Sequence, residues 1–536
     1  MTLEITQKTV LRIPPKDVPQ YGKKDIAYQT LDKRLNEFIA HMPHIDSFAK
    51  AIEEKKKQHI NRSLLVSEIQ NMYSDTKMTP SQLSNISSLN DEDTFTLITA
   101  HQPSLFTGPL YYIYKICSVI KACQLLNEHY EDFNFVPVFI SGSEDHDFEE
   151  INHCTIFNKR IEWAGKSGGA VGRMPIDELV SAVEEISEIL GSSDNALKLK
   201  EIIFESLNAS TQYKHFNFQL VNRLFGAYGL VVVDMDRKAL KASFAEIIKE
   251  EVVNRPSEKL VLNTQHQLEA KGIQGQAHPR DINFFYLQDN LRTRITHENG
   301  VYSLVDSDKT FSEEEILNEI DANPERFSPN VIMRPIYQEF ILPNLAYIGG
   351  GGEIAYWLER KSQFEHFKVP FPILMRRNSA LLVDSAGQRS LSKLDMEIQS
   401  FFADTDDIIN AYIKRESTIN IDLNSKKDQL SDLFNSISEE AQSVDPTISK
   451  WIQAERTKQI KVIDQIESRL KRTIKQQEET KINQIKKLKE KLFPGNGLQE
   501  RKDNFFQYAA NNGIELIDDL IHEFRPFTPE LLIMYL

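Results

Sequence analysis

Five short apolar runs, Thr96 to Ala100, Phe135 to Ile140, Leu230 to Asp234, Val331 to Pro335 and Phe371 to Met375, alternate along the middle of this chain with segments of helical periodicity. Runs so short and so continuously apolar predict strands buried on both faces. Their alternation with helices predicts an α/β fold built on a Rossmann-like, doubly wound and mostly parallel sheet. Such sheets hold ligands at the carboxyl ends of their strands, where helix N-termini present free backbone amides. The gaps between the second and third runs, and between the third and fourth, are too long for single crossovers. Residues of about 158–213 and about 253–323 are therefore expected to be connecting insertions in a core of 94–380, not separate domains.

A single core rarely supports 536 residues, so further units are expected on either side. Residues 1–93 read as a helical lead-in segment, with PPKDVP as a break, helices over Leu31 to Ala40 and Ala49 to Lys57, and SQLSNISSLNDED as the loop into the core. After Arg377 the strand pattern stops. A helical pattern starts at Leu391, Leu394 and Ile398, continues through Leu430, Leu433 and Ile437, and breaks at SVDPT, where Asp445 and Pro446 fit an N-cap and a first-turn proline. A second long helix is predicted from there to Phe493, with Ile463, Ile466, Leu470 and Ile474, then Ile485, Leu488 and Leu492, at spacings of three and four. Two such helices joined by a tight turn predict an α-helical antiparallel coiled-coil arm over 381–493. From Lys450 to Lys491 the arm carries 13 Lys or Arg against 6 Asp or Glu, which fits a solvated face or an anion site along it. PGNGLQER ends the arm in turn chemistry, and the segment 494–536 closes with LLIMYL, expected to pack back on core and arm.

A net charge of −15 argues against nucleic acid as a partner. Cys117, Cys123 and Cys154 fall in no CxxC or zinc spacing and read as free thiols of a reducing compartment. The N-terminus has no apolar signal region and no later run approaches a membrane span, so a cytoplasmic protein without membrane contact is expected.

Three stretches could carry chemistry. In TLITAHQPSLFTGPLYYIYK, Thr96 to Lys115, His101 could bind a phosphoryl oxygen with Gln102 beside it. Thr107 could cap the helix that carries Lys115, and Gly108 would let a ligand approach the backbone. A capped helix start with a hydrogen-bonded buried histidine is the plainer alternative. SGSEDHDFEEINH follows the next strand and emerges at the same sheet edge. Its Glu144, Asp145, His146, Asp147, Glu149, Glu150 and His153 would repel one another unless a cation, a ligand ammonium or an arginine lies among them. Metal ligation and amino-group recognition both explain the cluster, as does a solvated loop; the spacing matches neither HExxH nor an EF-hand. NLAYIGGGGEIAYW places Gly350 and Gly351 before a helix from which Glu353 and Tyr356 project, which suits a phosphate, a closely approaching substrate or a plain turn. Arg334, Arg376 and Arg377, near the ends of the last two predicted strands, could clamp carboxylates bidentately.

Together HQPSLFTGPLYYIYK, PVFISGSEDHDFEEINH, GGGGEIAYW, FPILMRRNS and LFPGNGLQER, in this order along the chain, resemble the blocks of the bacillithiol biosynthesis cysteine-adding enzymes, the BshC family. The resemblance implies a Rossmann-like core, a coiled-coil arm that supports a homodimer, and a ligase step. That step adds L-cysteine to glucosamine-malate (GlcN-malate) by amide formation, giving the low-molecular-weight thiol bacillithiol. The resemblance carries His101, Gln102, Thr107, Gly108, Asp145, His146, Asp147, Gly350 and Glu353 into a core pocket. It also implies a nucleotide pocket between arm and core, with Asp384, Ser385, Phe493, Gly495, Asn496 and Arg501 as candidates. Amide formation from a free carboxylate is uphill in water, so ATP, leaving as ADP or AMP, is the expected coupling, with Mg as a companion of the nucleotide. Amino-acid-activating Rossmann enzymes carry HIGH and KMSKS. Here HQPSLFTGP and RSLSK stand instead, so adenylate and acyl phosphate both stay open. On this reading His101, Asp145, His146 and Asp147 are the catalytic group, with His146 as base for the amine, Asp145 and Asp147 as acceptors for the cysteine ammonium or a cation, and Glu144 and Lys115 beside them. A non-catalytic nucleotide-binding scaffold for the pathway enzymes competes with this reading, although strand-end carboxylates beside a histidine favour an enzyme. A cysteinyl-tRNA-type synthetase would need a zinc site that the three cysteines are not spaced to give.

Overall fold

The computed structural model describes residues 9–165, 168–288, 290–416, 422–445 and 447–536. The chain forms two compact units, Met1–Leu382 with Gln499–Leu536, and Val383–Leu498.

A five-stranded parallel sheet lies at the centre of the first unit. Its strands are β1 (Thr94–His101), β2 (Asn134–Ser141), β3 (Val231–Asp234), β4 (Asn344–Gly349) and β5 (Ile373–Arg376), in the spatial order 5-4-1-2-3. β1 and β2 are buried on both faces along nearly their whole length, as their unbroken apolar runs predict. The strand order reverses at β1, so the carboxyl ends of β1 and β4 flank the crevice where doubly wound sheets hold ligands. Register brings those ends level: His101 pairs with Ser141, Ser141 with Asp234, and Gly349 with Arg376.

Four of the five predicted strands exist. Val331–Pro335 does not form one. Val331 is 44% exposed, the Asn330 side chain accepts from the Ile332 and Met333 amides, and Pro335 stands in the first turn of a helix, Arg334–Ile341. The missing strand is β4, whose short apolar run Leu345–Ile348 is followed at once by glycines and reads as the approach to a turn. SQLSNISS, the first part of the stretch expected to be a loop, is helical, and only LNDED turns into β1. Thr79 and Gln82 form a capping box and Pro80 opens the helix Pro80–Ser88. Leu31 to Ala40 is a 3-10 helix over Lys33–Phe38, while Phe48–Lys55 is α-helical.

The first insertion holds a hairpin, His153–Ile156 with Lys159–Glu162, and the helices Leu179–Leu190 and Asp194–Asn208. The second folds as an antiparallel sheet of Phe284–Gln288, Leu291–Glu298, Val301–Leu304 and Thr310–Phe311, joined by Phe327–Pro329. The tail strand Leu531–Tyr535 pairs antiparallel with Val10–Ile13.

In the second unit, Asn424–Gln442 and Ile448–Gln477 form an antiparallel hairpin. Lys427 meets Asp464 and Glu467 at 2.6 and 2.8 Å, Arg456 meets Asn435, and Ser438 meets Ser449, so positions that rise along one helix fall along the other. The predicted second helix is interrupted at Glu478 and resumes as Glu479–Leu492. The predicted first helix is broken as well: Ser385–Leu394 ends at Asp395, whose φ is +50°, and Thr405–Glu416 follows. Asp445 accepts from the Thr447 amide, but the helix N-cap is Thr447; Pro446 lies outside the described residues.

Candidate active site

A cavity of about 720 Å³ opens over the carboxyl edge of the sheet. Its floor is the ends of β1 to β4, and the antiparallel insertion walls it through Phe284, Phe285, Arg292 and Arg294.

His101 ends β1 with its ring against Tyr111 and Tyr112. Nδ1 lies 2.9 Å from the Gln102 carbonyl, which can only accept, so the proton sits on Nδ1 and Nε2 keeps a lone pair. Burial, then the charge of Lys115, pushes its pKa down to about 4. Gln102 donates to Asp145 at 2.7 Å and to Glu150 at 3.0 Å, joining the first stretch to the second. Phe106, Thr107 and Gly108 all have positive φ, and a Cβ on Gly108 would stand 2.7 Å from Ser104 Cβ. This turn is held by Asn504, whose amide donates to the carbonyls of Phe106 and Gly108. Thr107 does not cap the following helix, Tyr111–His129, which starts at Leu110 without a side-chain cap, and neither Thr107 nor Gly108 lines the cavity.

The acidic loop is neutralised by cations from elsewhere in the chain. Glu144 is buried against Lys241, and burial raises its pKa. Asp145 receives the His146 amide at 2.7 Å and lies 3.8 Å from Arg292. Against the cost of burial, hydrogen bonding with His146, the Arg292 charge and Gln102 hold its carboxyl well below the usual range. Arg292 also donates to Nδ1 of His146 at 2.6 Å, so that nitrogen's lone pair is occupied. Asp147 is exposed, caps the turn Phe148–Ile151 and does not line the cavity. At the end of β3, Asp234 accepts from Ser143, and Asp236 is bound bidentately by Arg173 at 2.7 and 2.9 Å. Among the described residues no group of three or more His, Cys, Asp or Glu side chains is placed to hold a metal ion.

At the end of β4, Gly350 is the N-cap of the helix Gly351–Trp357, and its amide donates to Glu353. Glu353 also binds Tyr347 and the buried Lys115, which itself does not line the cavity; against burial, these partners hold its carboxyl down to about 2. A Cβ on Gly351 would overlap the Asp25 carboxyl group. Tyr356 accepts from Arg334, and both line the cavity.

The predicted arginine clamp divides. Arg376 is taken by Asp25 at 2.9 and 3.1 Å and lies outside the cavity. Arg377 lines it but is paired with the buried Glu500 at 2.6 and 3.1 Å. Arg501 lines this same core cavity. In the second unit, Asp384 caps the helix Ser385–Leu394 and binds Lys491, Phe493 meets Phe402 edge to face, and Gly495 and Asn496 turn the chain with φ near +60°. Sequence reasoning missed Arg280, Arg292 and Arg294, which no motif marks. VVVDMD did offer a signal for Asp234 and Asp236, since it repeats the pattern of a buried strand ending in acids. Arg280, Arg294, Arg334 and Arg501 line the cavity with no carboxylate ion pair among the described residues.

Residues 20–378 match the family model for the bacillithiol biosynthesis BshC N-terminal Rossmann-like domain, and residues 380–536 match that for the BshC C-terminal coiled-coil domain. A protein of Flavobacterium psychrophilum named "Putative cysteine ligase BshC" is 41% identical, with 96% of this chain and 98% of that protein covered. The protein of that name from Flavobacterium johnsoniae is 39% identical over 93% of this chain and 94% of its own length, and that from Bacillus cereus 27% over 97% and 98%. With two domain models matched in succession along a parallel sheet and a helical hairpin, the chain belongs to the bacillithiol biosynthesis BshC family.

Proposed function

We propose that this ligase joins the carboxyl group of L-cysteine to the amine of GlcN-malate, the last step of bacillithiol biosynthesis, with ATP activating the carboxyl group. The observation that carries the reading is the charge content of the cavity: its lining combines arginines without an ion-pair partner, strand-end carboxylates and an uncharged His101. The arginines suit the malate carboxylates, and Asp145 and Asp234 suit an ammonium. His101, with Nε2 open, replaces His146 as the group that accepts the proton shed as the C–N bond forms, because Arg292 occupies the His146 Nδ1 lone pair. The carboxyl oxygen leaves either on phosphate, with ADP expelled at activation, or on AMP, with pyrophosphate expelled at activation, and Mg accompanies the nucleotide as part of the substrate.

An arm-mediated homodimer belongs to the same proposal, supported by Leu433, Trp451 and Ile466, which stand 55%, 65% and 49% exposed on the arm helices. The experiment that separates catalysis from a scaffold role is thiol production in cells that depend on this protein, with His101→Ala and Asp145→Ala in its place. Loss of the thiol with folding and oligomeric state retained is expected; unchanged thiol overturns the catalytic reading.

A further inference from the structure

The loop before the antiparallel insertion is fixed by one buried side chain. Asn283 is fully buried; its Oδ1 accepts from the Arg280 amide at 3.0 Å, and its Nδ2 donates to the Arg280 carbonyl at 2.7 Å. The same Nδ2 donates to Glu251 at 2.8 Å, and Oδ1 also accepts from the Asn330 side chain at 3.0 Å. Asn330 in turn accepts from the Ile332 and Met333 amides, and its carbonyl accepts from the Arg334 amide. Asn283 thus holds two chain segments in register, one ending in Arg280 and one starting the helix of Arg334.

Both arginines line the cavity, and neither forms an ion pair with a carboxylate among the described residues. The Arg280 guanidinium meets no acceptor there at all, while Arg334 rests on Gln338 and the Tyr356 hydroxyl, both neutral. A buried polar network costs stability unless every member is satisfied, and this one fixes the backbone of an arginine whose guanidinium donates to no acceptor among the described residues. With the backbone set at both positions, guanidinium groups that form no ion pair suit a ligand that brings two negative charges and accepts in a plane.

We propose that Arg280 and Arg334 are the specificity-determining pair that reads the two malate carboxylates of the acceptor substrate, and that Asn283 is the positioning residue that presets them. This rests on the ligase reading above. The pair selects the malate-bearing sugar over free glucosamine and leaves cysteine and ATP binding to other residues.

The test measures GlcN-malate binding by calorimetry and steady-state ligation for the full chain and for Arg280→Gln, Arg334→Gln, Asn283→Ala and Asn283→Ala combined with Arg280→Gln. Loss of one charge-assisted contact is expected to raise both Kd and KM for GlcN-malate about tenfold or more, with KM for cysteine and ATP unchanged. Asn283→Ala is expected to weaken binding at least as much as Arg280→Gln, and the combination to cost less than the two effects summed, because only the Arg334 share of the positioning is then left to lose. Ligation of free glucosamine is expected to be as slow in the arginine variants as in the unaltered chain. Should Asn283→Ala fail to fold, the two arginine variants carry the test alone. An unaltered chain that binds GlcN-malate while both arginine variants bind it equally well overturns this inference and leaves the ligase reading standing. An unaltered chain that neither binds nor ligates GlcN-malate overturns both.

Discussion

The ammonium of Lys115, on the helix after β1, lies 2.8 Å from Oε1 and 2.7 Å from Oε2 of Glu353, on the helix after β4, and the pair ties together the two sides of the crevice. Lys115 is buried and also donates to the Ala100 carbonyl. Removing it leaves a carboxylate and a carbonyl without their donor. Lys115→Met is expected to cost roughly 3–5 kcal/mol in urea unfolding at pH 7, and adding Glu353→Gln to recover part of that. Glu353 falls from the ordinary carboxylate pKa of 4.5 to about 2 on folding, so its contribution is complete above pH 4.5 and fades as the pH drops towards 2.

His101 is uncharged throughout the physiological range, because burial and Lys115 bring its pKa to about 4. If it accepts the proton in the reaction, the acid limb of kcat/KM falls near pH 4 and not near 6.5. His101→Gln is expected to lower kcat by roughly a hundredfold or more. An acid limb near 6.5 that persists in His101→Gln would contradict this assignment.

Glu251, buried beneath Asn283, titrates in the opposite sense. Burial pushes its pKa from 4.5 up to about 7, despite hydrogen bonds from Ser257 and Asn283. The folded chain therefore binds a proton that the unfolded chain has lost between these values, and stability declines as the pH rises from 4.5 to 7. Glu251→Gln removes the charge and is expected to stabilise the protein by about 1–3 kcal/mol at pH 8 with no gain at pH 4.5, read from paired denaturation curves.

The glycine run, which lines the cavity, is also a packing device. Asp25 approaches Gly351 so closely that a side chain there would overlap its carboxyl group, and Arg376 and Gln29 hold Asp25 in place. Gly351→Ala is expected to cost roughly 1–3 kcal/mol by overpacking. One position on, where a Cβ would meet only Gln276 at 3.7 Å, Gly352→Ala is expected to be neutral or slightly stabilising in the same thermal melt.

The parallel core was legible because β1 and β2 are apolar on both faces and because SGSEDH stands directly after one of them. β4 was hidden because its run is short and merges with the glycines, and Val331–Pro335 imitated a strand although Pro335 suits a helix start better. At the site, residues beside a strand end could be found from local pattern. Arg292, Arg280 and Asn504 could not, since each reaches the cavity or its loop from far along the chain and carries no local mark. Of the three clamp arginines, Arg376 and Arg377 are paired with Asp25 and Glu500, partners that spacing does not show.

The central claim is most directly tested by incubating the purified protein with L-cysteine, GlcN-malate and ATP and following the products by mass spectrometry. The expected result is a thiol equal in mass to the two substrates less one water, formed with equimolar ADP or AMP. No such product across nucleotides and divalent metals, with all substrates recovered intact, would contradict it.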